Sequence, residues 1–362
     1  MRLQLILTLL PVFAAAQEDG GREVSASVHV YTDDDRVTVV TPSADAHAAV
    51  SAAVSADAHV LVDSITAASV DVTSQASPYG FHERRVEEGT ILSVELHPQL
   101  ALSSTLMHSS ENDYWSWHAG VGVRLEAFQR NSIFDLRYTQ AWDEVGRAGD
   151  PIFAKDRSGQ HLQFAYHQVV DPSMLADLVV DLEHVGGYQA NPYRFVPIYG
   201  AGGLRLYSLP ERLPEDRHRI AGLLRLRKAV SSASFLHADY RFYADDWGVL
   251  GHTASALWLT RFGEARAGLQ FRGSWQEAAS FYRREYQDVD GAPAWRTRAR
   301  ELGGLWSVSA GVVGDVVLSR LRGAEPWRLN LSLGLARFSW ADFALQDQRD
   351  AILSNVGVVA PF

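Results

Sequence analysis

The sequence predicts an all-β protein, an antiparallel transmembrane β-barrel of about fourteen strands, with a range of about twelve to sixteen. Three observations favour this fold class. Apolar and polar residues alternate over unusually long runs, tryptophans lie near the ends of those runs, and the chain closes on an alternating segment that ends in Phe362.

The alternation is clearest in the segment ARAGLQFRGSWQ, from Ala265 to Gln276. Leu269, Phe271 and Trp275 fall on one face, while charged and polar residues fall on the other. This is the spacing of a β-strand, sustained for about twice the usual length of a soluble strand. A strand of about 9–11 residues, tilted across the bilayer, requires such a run. The alternative is a soluble β-sandwich, whose apolar face points inward.

Paired runs give the predicted strand order. The pairs are 45–63 with 65–86, 91–107 with 114–128, 132–142 with 160–170, 175–186 with 217–229, 233–243 with 249–262, 265–282 with 302–316, and 326–340 with 350–362. A further hairpin from Glu23–Tyr31 and Arg36–Thr41 would raise the count to sixteen. Placing the C-terminus in the periplasm puts the long connections outside, as in outer-membrane barrels.

Tryptophans near the strand ends are typical of an interfacial girdle. The predicted girdle comprises Trp115, Trp117, Trp142, Trp247, Trp258, Trp275, Trp306, Trp327 and Trp340.

The two ends of the chain predict export to the outer membrane of a Gram-negative-type envelope. Arg2, an apolar run and Ala14–Ala16 read as a cleaved Sec-type signal peptide over residues 1–16. The remainder, residues 17–362, is predicted to be one barrel domain. The terminal Phe362 resembles the signal by which barrels are recognised by their assembly machinery.

Composition narrows the functional classes. The 43 acidic residues against 33 basic ones give a net charge of −10, which argues against nucleic-acid binding. The absence of cysteine excludes disulfides and thiol chemistry. No nucleophile elbow or comparable catalytic motif occurs, so we expect no enzyme and no resident cofactor.

A row of inward charges marks the candidate functional surface. The segment RHRIAGLLRLRK places Arg217, Arg219, Arg225 and Arg227 on one face, and the next strand adds His237, Asp239 and Arg241. These residues predict either a pore or polar-ligand site, or a narrow lumen crossed by ion pairs. Both signs of charge are abundant, so the pattern predicts no ionic selectivity.

Acidic turns offer a second candidate site, for Ca²⁺ or another divalent cation. Asp33, Asp34 and Asp35 form one turn, and Asp245 and Asp246 form another. Carboxylate oxygens suit hard cations, although aspartate in a tight turn needs no metal to explain it. His47 and His59, on one face with nearby aspartates, would alternatively suit a transition metal.

Several segments resemble a known family. They are VYTDDDRVTVVTP, VDSITAASVDVTSQAS, SSENDYWS, GYQANPYRFV, PERLPEDRHR and YRFYADDWGVLGHT. The resemblance is to domain of unknown function 3570, a family of outer-membrane β-barrel type. It implies a barrel and an outer-membrane location, and it implies no activity and no catalytic residues.

The sequence therefore predicts a passive channel or a barrel that binds a small polar solute in contact with outer-membrane lipid. Two alternatives remain open: a structural or assembly barrel with a closed lumen and periplasmic partners, and a metal-handling barrel. Loops 187–216 and 283–301 are predicted to fold over the mouth.

Overall fold

The computed structural model describes residues 22–67, 81–288, 293–319 and 326–361. The predicted signal peptide and Phe362 lie outside these residues. In chain order the strands are β1 (Glu23–Asp33), β2 (Val37–Ser51), β3 (Val54–Ala67), β4 (Phe81–His97), β5 (Leu100–Ser110), β6 (Tyr114–Ala127), β7 (Ser132–Val145), β8 (Lys155–Asp171), β9 (Met174–Gly187), β10 (Phe195–Tyr199), β11 (Arg205–Pro210), β12 (Asp216–Ala229), β13 (Ser234–Asp245), β14 (Leu250–Phe262), β15 (Ala265–Gln276), β16 (Tyr286–Gln287), β17 (Leu305–Ser319), β18 (Trp327–Trp340) and β19 (Gln348–Pro361).

All of these strands except β10, β11 and β16 form one closed antiparallel barrel of sixteen strands. Each barrel strand pairs with the barrel strands that precede and follow it in the chain. The first and last strands, β1 and β19, pair with each other and close the cylinder, from Glu23 opposite Pro361 to Asp33 opposite Ala351. Closure leaves no unpaired sheet edge, which is the condition for a sheet to cross a bilayer. Among the described residues, no helix is long and apolar enough to span a membrane.

In the first third of the barrel, the strand boundaries differ from the predicted ones. The predicted strand 45–63 is the end of β2 and most of β3, joined by a turn at Ala52 and Ala53. The predicted strand 91–107 likewise divides into β4 and β5 at residues 98–99. A two-residue turn keeps odd-numbered residues on the lumen face of both β2 and β3, so alternation alone shows no break there. The count of sixteen, rather than fourteen, follows from these turns and from β1.

The two ends of the barrel differ in their connections. At one end the described connections are short, at 52–53, 98–99, 128–131, 172–173, 230–233 and 263–264. At the other end they include 146–154, 188–215 and the two stretches 277–288 and 293–304. This is the asymmetry predicted from the sequence, and we call the second end the loop end.

The outer face is apolar, as predicted, whereas the inner face carries the polar residues together with buried apolar clusters around Trp340 and around Leu257. Leu333 and Leu335 in β18 are 52% and 64% exposed, while Ser332 and Gly334 lie on the inner face. Seven of the nine predicted girdle tryptophans are exposed. The other two, Trp247 and Trp340, are buried at 4% and 6%, so their predicted interfacial role is wrong. Both pack beneath arginine side chains on the inside.

Residues 188–215, 277–288 and 293–304 fold together at the loop end, and we call them the cap. Strands β10, β11 and β16 form a small sheet in the cap, with β10 pairing antiparallel to β11 and parallel to β16. Val196 and Ile198 are fully buried in this sheet. A short 3-10 turn, Arg300–Leu302, returns the chain to the barrel wall. The two loops therefore support one another, and together they cover the mouth of the barrel.

Glycine is required where the chain leaves the barrel for the cap. Gly187 has a φ of +93°, and a Cβ there would lie 2.4 Å from the carbonyl oxygen of Asp156. Side chains other than glycine rarely adopt this backbone conformation. The direction in which the cap departs from β9 therefore depends on this residue.

Candidate functional site

A cavity of about 840 Å³ occupies the loop half of the lumen beneath the cap. Tyr188, Ala190 and Tyr193 of the cap line it on one side. Arg219, Tyr243 and other lumen-facing strand residues line it elsewhere. Strand alternation sends every second side chain inward, and the lining combines charged and hydroxyl groups with apolar residues such as Leu305, Ala336 and Phe338. The lumen thus holds a space of the size that receives small ligands.

Four of the predicted lumen arginines are held by carboxylates on neighbouring strands. Arg217 pairs with Asp245, Arg219 with Glu183 at 2.9 Å, Arg225 with Asp239 at 3.0 Å, and Arg227 with Asp177 at 2.6 Å. The interpretation of a lumen crossed by ion pairs therefore describes this stretch of wall. His237 faces inward opposite Arg227.

The same pairing continues around the wall. Asp177 also contacts His167 at 2.9 Å, and His167 lies 3.4 Å from Asp135. Asp135 in turn binds Arg124 at 2.9 Å. Opposite charges on adjacent strands cancel one another here, which lowers the cost of placing them inside the wall. The charges that remain unpaired then dominate the field inside the lumen.

Arg241 and Arg272 are such charges. Both line the cavity, and neither makes an ion pair with any residue that the structure describes. Arg241 is accessible to the lumen and its guanidinium lies 5.5 Å from the ring centre of Tyr243. Arg241 was predicted as a lumen residue. Arg272 belongs to the polar face of the predicted strand, but nothing in its spacing distinguished it from paired arginines.

Hydroxyl groups surround these two arginines. Arg241 lies opposite Thr253, which lies opposite Ser274, which lies opposite Ser307. Arg272 lies opposite Ser309 on the other side. Ser274 and Ser307 hydrogen-bond to each other at 2.7 Å. These six strand positions form a continuous patch of donors on the wall of the cavity.

The segment YRFYADDWGVLGHT contacts both the barrel wall and the cap. Asp245 accepts bonds from Arg217 and, at 2.8 Å, from the hydroxyl of Tyr243. Asp246 contacts His218 at 2.9 Å. Trp247 lies under Arg217 at 4.1 Å and donates its indole N–H to the carbonyl of Asp216 at 2.9 Å.

The backbone of the same turn binds the cap. Ser280 donates its N–H to the carbonyl of Trp247 at 2.8 Å, and Phe281 packs edge-on against the indole. Gly248 has a φ of +88°, which closes the turn at a conformation suited to glycine. The motif therefore joins the barrel rim to the cap.

The first acidic turn is engaged in the same way. Arg349 binds Asp33 at 3.1 Å and also binds Asp35, and Arg300 lies 3.4 Å from Asp35. Asp34 accepts the N–H of Asp350 at 3.1 Å. Arginine thus occupies the oxygens that a cation would use at Asp33 and Asp35. His47 and His59 each contact an aspartate on the next strand, Asp57 and Asp45.

The sequence does not indicate that Glu83 joins Glu111 and Asp113 in one acidic group on the cavity wall. Glu83, Glu111 and Asp113 bring carboxylate oxygens within 4.8 Å of one another. The hydroxyl of Tyr193, from the cap, donates to Asp113, and the N–H of Ala148 donates to Tyr193. Burial, together with the bond to Asp113, raises the pKa of Tyr193 to about 12. Glu83 lies in β4, Tyr193 in the cap and Ala148 in loop 146–154, so no local spacing indicates that they meet Glu111 and Asp113.

Two solved structures share this fold. CdiB from Acinetobacter baumannii superposes with a TM-score of 0.55 at 6% identity, over 94% of this chain and 60% of that one. A bacterial polysaccharide outer membrane secretin superposes with a TM-score of 0.51 at 8% identity, over 95% of this chain and 99% of that one. The chain thus spans less than two thirds of the first protein. At these identities the likeness shows the fold alone.

No curated protein matches the sequence. The model of the family described as protein of unknown function DUF3570 matches residues 135–313. The match includes GYQANPYRFV, PERLPEDRHR and YRFYADDWGVLGHT, and it excludes the three quoted segments nearer the N-terminus. It covers the strands that carry the arginine row, the turn around Trp247 and much of the cap. Through residues 135–313, about half of the chain, the sequence is therefore similar to the DUF3570 family.

Proposed function

We propose that this protein is a passive outer-membrane barrel that admits and binds a small polar solute in the loop half of its lumen. The cavity of about 840 Å³ beneath the cap is the observation that carries the proposal. A barrel whose sole task is mechanical gains nothing from an interior space lined by arginine and hydroxyl groups. Desolvated charges of this kind are costly unless a partner compensates them.

The exterior supports a place in the membrane. Outward residues such as Leu333, Val312 and Val121 are at least half exposed and would be covered by lipid. Exposed tryptophans near the ends of the apolar band suit the two interfaces. Short connections at one end and long ones at the other match outer-membrane barrels, and the fold is that of the outer membrane secretin reported above. We therefore propose that the loop end faces outward.

Single-cysteine labelling tests this function, because the chain contains no cysteine. We would measure conductance of Ser309→Cys in planar bilayers before and after adding a membrane-impermeant thiol reagent. Ser309 lines the cavity, so the reagent is expected to reduce the current.

Val308→Cys is the matched control, since Val308 is the preceding residue in β17 and faces outward, 50% exposed. Its current is expected to stay unchanged. A barrel that never conducts, or a Ser309→Cys variant that the reagent cannot reach, would contradict the proposal.

The cap favours one alternative, a structural or assembly barrel with a closed lumen and periplasmic partners. Absent conductance together with a stable co-purifying partner would support that alternative. Recognition of Phe362 by the assembly machinery and a role for divalent cations remain predictions. Deletion of Phe362 and elemental analysis of natively extracted protein are the respective tests.

A further inference from the structure

We propose that Arg241 and Arg272 form an anion-binding site for an oxyanion group, carboxylate or phosphate, of a small polar organic solute. The inference rests on the proposed function, since it names the chemistry of the solute that the lumen admits. It assigns the binding role to two arginines and their hydroxyl neighbours, rather than to the arginine row of β12.

Neither of these two arginines has an ion-pair partner among the described residues. The nearest candidate in register is Asp239, which is two residues from Arg241 along β13. Its carboxylate binds Arg225 at 3.0 Å and Ser255 at 3.4 Å. The remaining arginines of the row are paired in the same way. Within the described chain, Arg241 and Arg272 are therefore left as positive charge that faces the cavity.

Register brings the two charges together. Thr253 lies opposite Arg241, and Ser255, the next lumen-facing residue of β14, lies opposite Arg272. The two arginines are on strands two apart, so their backbones are separated by about 10 Å across the sheet. Side chains of this length can converge on one group from such positions. A single anion between them would satisfy both.

The chemistry of the patch favours an oxyanion. A guanidinium group presents a planar fork of donors that matches carboxylate and phosphate oxygens. Thr253 and Ser309 have no hydrogen-bond partner within the described residues, so their hydroxyls are available to the rest of a polar solute. A cation at the same place would meet two positive charges, and the nearest carboxylate in register, Asp239, is already bound to Arg225.

Size limits the ligand as well. A space of about 840 Å³ is within the range of pockets that hold small organic ligands, about 300–1,000 Å³. Folded macromolecules are therefore excluded from this site, and a sugar acid or a phosphorylated small molecule fits it.

Binding to purified, detergent-solubilised barrel is the test, with gluconate, inorganic phosphate and neutral glucose as probes in isothermal titration calorimetry. We expect gluconate or phosphate to bind more tightly than glucose. Arg241→Gln/Arg272→Gln is expected to weaken anion binding by about 10- to 100-fold, the loss typical of charge-assisted hydrogen bonds. Whichever anion binds more tightly in the wild-type protein identifies the group.

Arg337→Gln/Arg130→Gln is the control, because it removes two positive charges outside the cavity. Both arginines are exposed and pair with Asp350 and Glu126. The control is expected to bind anions like the wild-type protein. Arg241→Lys/Arg272→Lys keeps the charge without the fork, and we expect intermediate affinity, which also guards against loss of folding in the glutamine variant.

Equal affinity of the wild-type protein and the glutamine variant for the anions would overturn the site. So would glucose binding as tightly as gluconate. Failure of the proposed channel function can be distinguished from failure of this site, because calorimetry measures binding without any conduction. A barrel that binds anions through these arginines but carries no current would refute passive transport and leave the site intact.

Discussion

Removing the carboxylate of Glu211 should open the cap without unfolding the barrel. Glu211 and Arg194 form a buried pair at 3.1 Å, with side chains 1% and 7% exposed. Glu211 also accepts the N–H of Asn191 at 2.7 Å and the hydroxyl of Thr297. In Glu211→Ala, the buried Arg194 loses the carboxylate of Glu211, while the strands of the barrel keep all of their ladder bonds.

The expected magnitude follows from the environment of this pair. Breaking a buried ion pair by removing one partner costs about 3–5 kcal/mol. At tenfold for each 1.4 kcal/mol, the opening equilibrium of the cap should rise roughly 100- to 5,000-fold. The exposed pair of Arg337 and Asp350 provides a comparison, since solvent screens it and Arg337→Ala should leave the cap unchanged.

Hydrogen exchange measured by mass spectrometry is the assay. Amides of β10 and β11 should exchange much faster in Glu211→Ala, while peptides from β5 and β6 keep their protection. The double variant Arg194→Met/Glu211→Leu removes both charges and should recover the larger part of the loss. Unchanged exchange in β10, or a double variant as open as the single one, would refute the assignment of the cap's stability to this pair.

Three further predictions concern other parts of the molecule. Arg349→Met leaves Asp33 and Asp35 without their main cation at the seam between β1 and β19, so the temperature at which the barrel unfolds in detergent gels should fall. Tyr193 donates to Asp113 while protonated, and its pKa is raised to about 12 by burial and by that carboxylate. Its contribution to cap closure is therefore complete below its unfolded pKa of about 10 and lost as the pH rises through 12. Tyr193→Phe should abolish that alkaline step in cap proteolysis, and a step that persists would exclude Tyr193 as its source. Leu333→Arg places a charge on the lipid face and should cost about 2–4 kcal/mol of folding stability in vesicles, whereas Leu333→Met should cost little.

Much of the barrel could be predicted from the sequence because alternation reports directly on which side of a wall a residue faces. The faces of Ala265–Gln276 and of the residues around His59 were predicted correctly. Turn positions were less accessible: Ala52 and Ala53 carry no turn signature, and the alternation passes through them unchanged. The alternation therefore shows which residues of a strand face inward and which face outward, but it does not show where a short turn divides one strand from the next.

The candidate site was predictable only in part. Arg217, Arg219, Arg225 and Arg227 were correctly placed on one inner face, but whether each is paired depends on Asp245, Glu183, Asp239 and Asp177. Those carboxylates come from two other strands, β9 and β13, whose register with β12 the sequence does not specify. Trp247 was misplaced for a similar reason, because packing against distant cap residues such as Ala279 and Leu302 decides whether a tryptophan at a strand end faces lipid or protein.

The cap is tied to the barrel through four strand ends, those of β9, β12, β15 and β17. A segment attached at a single hinge can rotate through a large angle, whereas a segment attached at four points can only tilt or shift a short distance. We therefore expect no large displacement of the whole cap while these four connections hold. Under the proposed function, a solute would enter between the cap and the rim, so the size of this gap, rather than the diameter of the barrel, would limit what can pass.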